Sequence, residues 1–197
     1  MRALLSSIHI KQETDFVLSM QGYRAWVNFV NIVFNPVGSV KTTLSDEEIK
    51  RESPENLEAR IEIFPEYAEG LGGIEGFSHL LIFFGLHQVS EKQRALLKAR
   101  PRRLVKHGLS LEELPLVGVF CLDSPHRPNP IGLSVVRLLS REGRVLRVKG
   151  LDAFDGTPVI DIKPYSPSRR VEKIGLPSWY EDLLAKLKER RVTISDF

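Results

Sequence analysis

From Leu57 to Ile63 apolar and charged residues alternate: Leu57, Ala59, Ile61 and Ile63 share one parity, and Glu58, Arg60 and Glu62 the other. A period of two is the signature of a strand with one dry and one wet face. The run Leu80-Leu81-Ile82-Phe83-Phe84 is apolar on both parities, which predicts a central strand covered on both sides. Strand-like runs are read over Ala25–Thr42, Leu57–Phe64, Phe77–Leu86, Leu116–Leu122, Leu133–Leu139, Arg144–Val148 and Val159–Lys163. Helical signals are fewer. Ser90-Glu91-Lys92-Gln93 is a capping-box pattern opening a helix over Glu91–Ala99, which Pro101 stops. Ser178-Trp179-Tyr180-Glu181 opens a second, over about Trp179–Arg191, with Leu183, Leu184 and Leu187 on one side. Many short strands and few helices predict a mainly β fold, a barrel or strongly curved sheet with peripheral helices.

Composition narrows the setting. At 197 residues the chain fits one domain with appendages, read as an N-terminal extension (1–30), a β core (31–167) and a basic amphipathic helix (168–197). Hydrophobic content of 42% and charged content of 27% are ordinary for a globular protein. The single cysteine, Cys121, lies in an apolar run and is expected in the core; it excludes an internal disulfide and points to a reducing compartment. Ser6, Ser7, His9 and Lys11 break any signal-peptide core, and the apolar run Leu80–Leu86 is far too short to span a bilayer, so a cytoplasmic protein is expected. The net charge of +3 is unevenly spread. Glu91–His107 carries Lys92, Arg94, Lys98, Arg100, Arg102, Arg103 and Lys106, and a second basic group, from Arg169 to Arg191, lies in the tail. Such patches suit RNA as a partner, or are simply solvated faces.

The segment Ser124-Pro125-His126-Arg127-Pro128-Asn129-Pro130-Ile131-Gly132-Leu133-Ser134 carries the densest candidate chemistry. Its three prolines fix φ and delete donors, predicting a rigid loop, neither helix nor paired strand, that positions His126, Arg127 and Asn129. His87-Gln88 stands where the Leu80–Leu86 strand stops, and Leu151–Pro158 is an acid-rich turn between two strands. As strand-end loops these three can converge on one barrel mouth. Gly70–Gly76 fails the dinucleotide-loop spacing and reads as a turn, and no serine elbow or His-Glu-x-x-His pair is present. No metal site is expected from the scattered histidines.

Gly76-Phe77-Ser78-His79-Leu80, Pro115–Phe120, Arg127–Ser134 and Asp155–Tyr165, in this order, resemble the TsaA-like, or TrmO-type, tRNA methyltransferases over roughly Phe34 to Pro167. The resemblance implies a small, usually dimeric β-barrel that binds S-adenosylmethionine without a Rossmann fold. It implies methylation of N6 of threonylcarbamoyl-modified adenosine beside the tRNA anticodon. Carried over by position, the cofactor pocket would include His87, Gln88, Leu133, Asp155, Gly156, Thr157 and Pro158. Asp123 would join them, standing where family members carry an arginine in Ala-Thr-Arg-Ser; the chain also lacks the Pro-Arg-Gln contact of some members. Asp155 and His126 are candidate bases, and Arg127, with Asn129, a contact to substrate or an organiser of the loop. A non-catalytic RNA-binding barrel, or a family branch methylating another substrate, remains the competing reading.

Overall fold

The computed structural model describes residues 33–192. The barrel lies in the compact unit Pro36–Phe197; the other unit, Met1–Asn35, falls almost wholly outside the described residues, and with it the N-terminal extension and the first part of the strand read over Ala25–Thr42, of whose described part only Gly38–Lys41 is strand. Among the described residues eight strands form: β1 (Gly38–Lys41), β2 (Glu58–Ile63), β3 (His79–Gly85), β4 (Lys98–Ala99), β5 (Val117–Gly118), β6 (Ile131–Glu142), β7 (Val145–Lys149) and β8 (Pro158–Pro164). Six close into an antiparallel barrel in the order β1-β2-β7-β6-β3-β8, while β4 and β5 pair separately. No helix among the described residues is long and apolar enough to cross a membrane.

The alternation of β2 sets its orientation: Ala59, Ile61 and Ile63 point in and Glu58 and Arg60 out. Their partners share the inner face because residues directly opposite in a sheet lie on one side of it, so Val40 meets Ile61 and Leu146 meets it from the other strand. On β3 the inner residues Leu80, Ile82 and Phe84 complete this core with Val136 and Val159. Gly132 of β6 makes room for Phe84: a Cβ there would sit 2.3 Å from the phenyl ring.

Two connections cross the barrel ends rather than turning back. β7 and β8 are three strands apart in the ring, as are β2 and β3. The β7–β8 chain therefore spans one mouth and buries Leu151 and Ala153 as a stopper, and the β2–β3 chain closes the other end with Leu71. In the latter, Gly73 and Gly76 adopt positive φ, as expected of the glycine-rich turn.

Several local expectations are corrected. The proline-rich segment is irregular only to Pro130; Ile131–Ser134 are paired strand, because the prolines end there and β3 supplies partners from Gly85 to Ile82. Leu116–Leu122 is not one strand: only Val117–Gly118 pairs, a 3-10 turn follows, and Cys121 is exposed rather than core. The capping box at Ser90 forms, but the helix it opens, α2, stops at Arg94, and Lys98–Ala99 extend to pair with β5. Helix α3 (Ser178–Glu189) is capped by Pro177 with no side-chain bond, so the box read at Ser178 is not made. Helix α1 (Asp46–Arg51), with a complete capping box between Ser45 and Glu48, precedes α2 in the chain and has no counterpart among the helices expected from the sequence.

Helix α3 does not lie on the sheet. Leu183, Leu187 and Trp179 pack on Leu104, Leu109 and Leu114 of the β4–β5 connection, making a second small core. Arg190 closes this joint through a 2.9 Å ion pair with Glu113.

Candidate active site

Antiparallel pairing brings the ends of β1, β3 and β7 and the starts of β2, β6 and β8 to one end of the barrel. The connections 42–57, 86–130 and 150–157 therefore share a mouth, and hydrogen bonds knit them together. Asp155 Oδ1 accepts the Thr42 N–H at 3.1 Å, and the Gly156 N–H donates to the Val40 carbonyl at 2.9 Å. Gly156 sits at φ +73°, a conformation that costs a residue with a Cβ more than it costs glycine. Gln88 Nε2 donates to Asp46 Oδ2 at 3.0 Å, and the Leu86 N–H donates to the Pro130 carbonyl at 2.8 Å. Pro158 packs over Gly85, where a Cβ would lie 3.2 Å from its ring.

The crossing chain is tied to the inside of the barrel as well. Ser134 pairs with Ile82 on the inner face, and its hydroxyl donates to Asp152 Oδ1 at 2.9 Å. The other oxygen of Asp152 receives Arg103 at 3.2 Å. Thr157, the last residue of this chain before β8, is buried.

Within the proline loop the roles divide. The Arg127 guanidinium donates to three carbonyls of its own loop, those of Val119, Leu122 and Ser124, so it holds the wall in shape. His126 Nε2 lies 3.0 Å from Gln93 Nε2. The Gln93 carbonyl oxygen is already taken by the N–H and hydroxyl of Ser90, which fixes its amide so that nitrogen faces histidine. Nε2 of His126 is then the acceptor and Nδ1 carries the proton. This occupies the lone pair a base would use. Arg94, ion-paired to Glu91, lies 3.5 Å from the Pro128 carbonyl and backs the same wall.

The predicted residues are thus only partly brought together. Gln88, Asp155, Gly156, Thr157 and Pro158 line the mouth, with the exposed His87 beside them. Asn129 and Asp123 are exposed in the neighbouring loop. Leu133 stands on the outer face of β6, paired with Phe83 and 57% exposed. Thr42, Asp46, Gln93, Ser134 and Asp152 are not among the site residues expected from the sequence. The Ser45-Asp46-Glu47-Glu48 box was a readable signal for the Asp46 helix, whereas nothing local marks Thr42. Among the described residues no group of His, Cys, Asp or Glu could hold a metal ion.

A closed antiparallel barrel with a three-loop, carboxylate-bearing mouth, and no doubly wound sheet, defines a small non-Rossmann barrel class. The chain belongs to the TrmO family: residues 44–169 match the family described as tRNA-methyltransferase O N-terminal domain. It is 37% identical over 163 residues to a probable S-adenosyl-L-methionine-binding protein of Pyrococcus abyssi, covering 81% of this chain and 82% of that one. It is 41% identical over 109 residues to the tRNA (adenine(37)-N6)-methyltransferase of Mus musculus, covering 55% of this chain but 23% of the mouse protein. The crystal structure of TrmO superposes with a TM-score of 0.58 at 33% identity, over 75% of this chain and 64% of that one. The chain thus spans under two thirds of these last two relatives.

Proposed function

We propose that the chain is an S-adenosylmethionine-dependent methyltransferase acting on N6 of the threonylcarbamoyl-modified adenosine beside a tRNA anticodon. The observation that carries this reading is the convergence of three loops on one mouth, with Asp155 at its rim. The donor set suits the cofactor: the Asp46 carboxylate for a cationic sulfonium or ammonium, the Gln88 amide for hydrogen bonds, and prolines at 130 and 158 for an apolar surface. The cofactor supplies an activated methyl group when bound.

The protein's part is alignment and proton removal. Mouth residues hold the adenosine at near-attack distance and keep water away from it. The N6 proton must leave as the nitrogen gains its methyl, and Asp155 accepts it: one carboxylate oxygen is anchored by the Thr42 N–H, and the second has no partner among the described residues. His126 and Arg127 hold the loop instead. Asp155→Asn keeps an acceptor for Thr42 but removes the base, so methyl transfer should fall about 10²- to 10⁴-fold while calorimetry still shows cofactor binding. Transfer of labelled methyl to tRNA with and without the threonylcarbamoyl group tests the substrate. Equal labelling of both would remove that specificity.

The proposal includes a homodimer in the cytoplasm, where tRNA is read. Its support is the outer face of β6, where Ile131, Leu133 and Val135 form a wet apolar stripe. One observation favours the competing cofactor-free barrel, the exposed carboxylate of Asp123 at the arginine position. An absence of heat with S-adenosylmethionine while tRNA still binds would decide for it.

A further inference from the structure

A groove of about 360 Å³ runs across the outside of β1, β2 and β7, away from the mouth's interior. Its floor is a row of three cations. Lys41 pairs directly with Arg60, and Arg60 directly with Arg147, so all three stand on the outer face one strand apart. Neighbouring strands are about 4.8 Å apart, which sets the spacing of the row. Like charges placed directly opposite destabilise a sheet. Counter-charges relieve this little: Glu58 reaches Arg147 only at 3.8 Å, both side chains being more than half exposed, and Lys41 and Arg60 have no ion pair among the described residues. Glu142 closes the far end beside Leu139, at the bulge where β6 steps out of register with β7.

The groove is continuous with the mouth. Thr42 lines it and is the residue whose N–H is held by Asp155. By contrast, three cations of the basic segment conspicuous in the sequence are engaged within the chain, Arg94 with Glu91, Arg100 with the Leu114 carbonyl and Arg103 with Asp152, as is Arg190 of the tail with Glu113.

We propose that the Lys41–Arg60–Arg147 row is a binding track for the phosphodiester backbone of an RNA strand, leading to the mouth along the outer wall. This rests on the methyltransferase reading for the identity of the strand. A row of point charges at strand spacing suits successive phosphates, which need no sequence-specific partner. The open groove and its threonines at 42 and 43 also fit a backbone better than a buried ligand.

The test is tRNA binding by the full chain, followed by fluorescence anisotropy from 50 to 300 mM salt, with S-adenosylmethionine binding measured beside it. In Lys41→Gln/Arg60→Gln/Arg147→Gln the slope of log K against log salt should become shallower by about 2, since each lost phosphate contact removes roughly 0.7. Affinity at 100 mM salt should drop about tenfold or more, with cofactor binding unchanged. Arg60→Glu supplies a second readout: it should also weaken RNA binding, yet raise the melting temperature, because glutamate would stand between Lys41 and Arg147. An unchanged slope in the triple variant, with tRNA still bound, overturns the track and leaves the mouth assignment intact. So does a slope that moves instead when Arg169 and Arg170 are replaced. Loss of cofactor binding by the unaltered chain would count against the methyltransferase reading alone.

Discussion

The barrel wall has two outsides. Along Leu81–Phe83 of β3 and Ile131–Val135 of β6 the outward residues are apolar, with Ile131, Leu133 and Val135 exposed by 38%, 57% and 51%. Around β1, β2 and β7 they are charged, with Lys41, Arg60 and Arg147 in register and Glu58 and Glu142 at the flanks. Behind both walls lies one continuous core of Val40, Ile61, Ile82, Leu146 and their neighbours. Inner faces of a small barrel must fill a common volume, so their chemistry is dictated by packing. Outer faces are free of that demand, and under the proposals above their difference follows from what each would meet: a second copy of the chain on one side, an RNA backbone on the other.

The comparison can be strained from the inside first, where the largest effects lie. Ile82→Ala behind the apolar wall and Ile61→Ala behind the charged wall should each cost about 2–5 kcal/mol in urea unfolding, as both side chains are fully buried. A loss below 1 kcal/mol at either would show that the two walls do not share one core. Gly132→Ala should cost about 1–3 kcal/mol, because its Cβ would displace the packed Phe84 ring.

Outer-face changes should be gentler on stability and sharper on assembly. Leu133→Asp should convert a dimer to monomer in sedimentation while leaving monomer unfolding within about 0.5 kcal/mol. A variant that still dimerises would move the interface off the apolar wall.

The smallest effect concerns neither wall but the joint of α3. Glu113 is held below the usual carboxylate range, first by the Ser110 N–H and then by Arg190. A lowered folded pKa gives stability that is present above the unfolded value and lost as pH falls through the folded one. Docking of α3 should therefore weaken on acidification below about pH 4, and Glu113→Gln should flatten that dependence. Trp179 fluorescence in a Trp26→Phe background reports it.

Much of this architecture was readable along the chain. Period two in Glu58–Ile63 gave the half-buried strand, the apolar run Leu80–Phe84 gave β3 although its outer face lies on the barrel wall rather than under cover, and the prolines gave the irregular loop to Pro130. The alternation, the prolines and the Ser90 box are local properties, set by backbone sterics and by each residue's preference for water. Errors fell where a distant partner decided the outcome. Lys98–Ala99 left a helical pattern because β5 was there to pair, and Ile131–Ser134 became strand because β3 offered free edges.

The sequence by itself determined that a β-rich barrel would form, and it marked the loops that could carry chemistry. Tertiary structure alone decided which charges meet. Three of the cations clustered in the chain, Arg94, Arg100 and Arg103, are spent on bonds within it, whereas Lys41, Arg60 and Arg147, scattered along it, fall into one row. Register is the reason. It is fixed by pairing between distant strands, and a shift of one residue would carry each of these side chains to the other face.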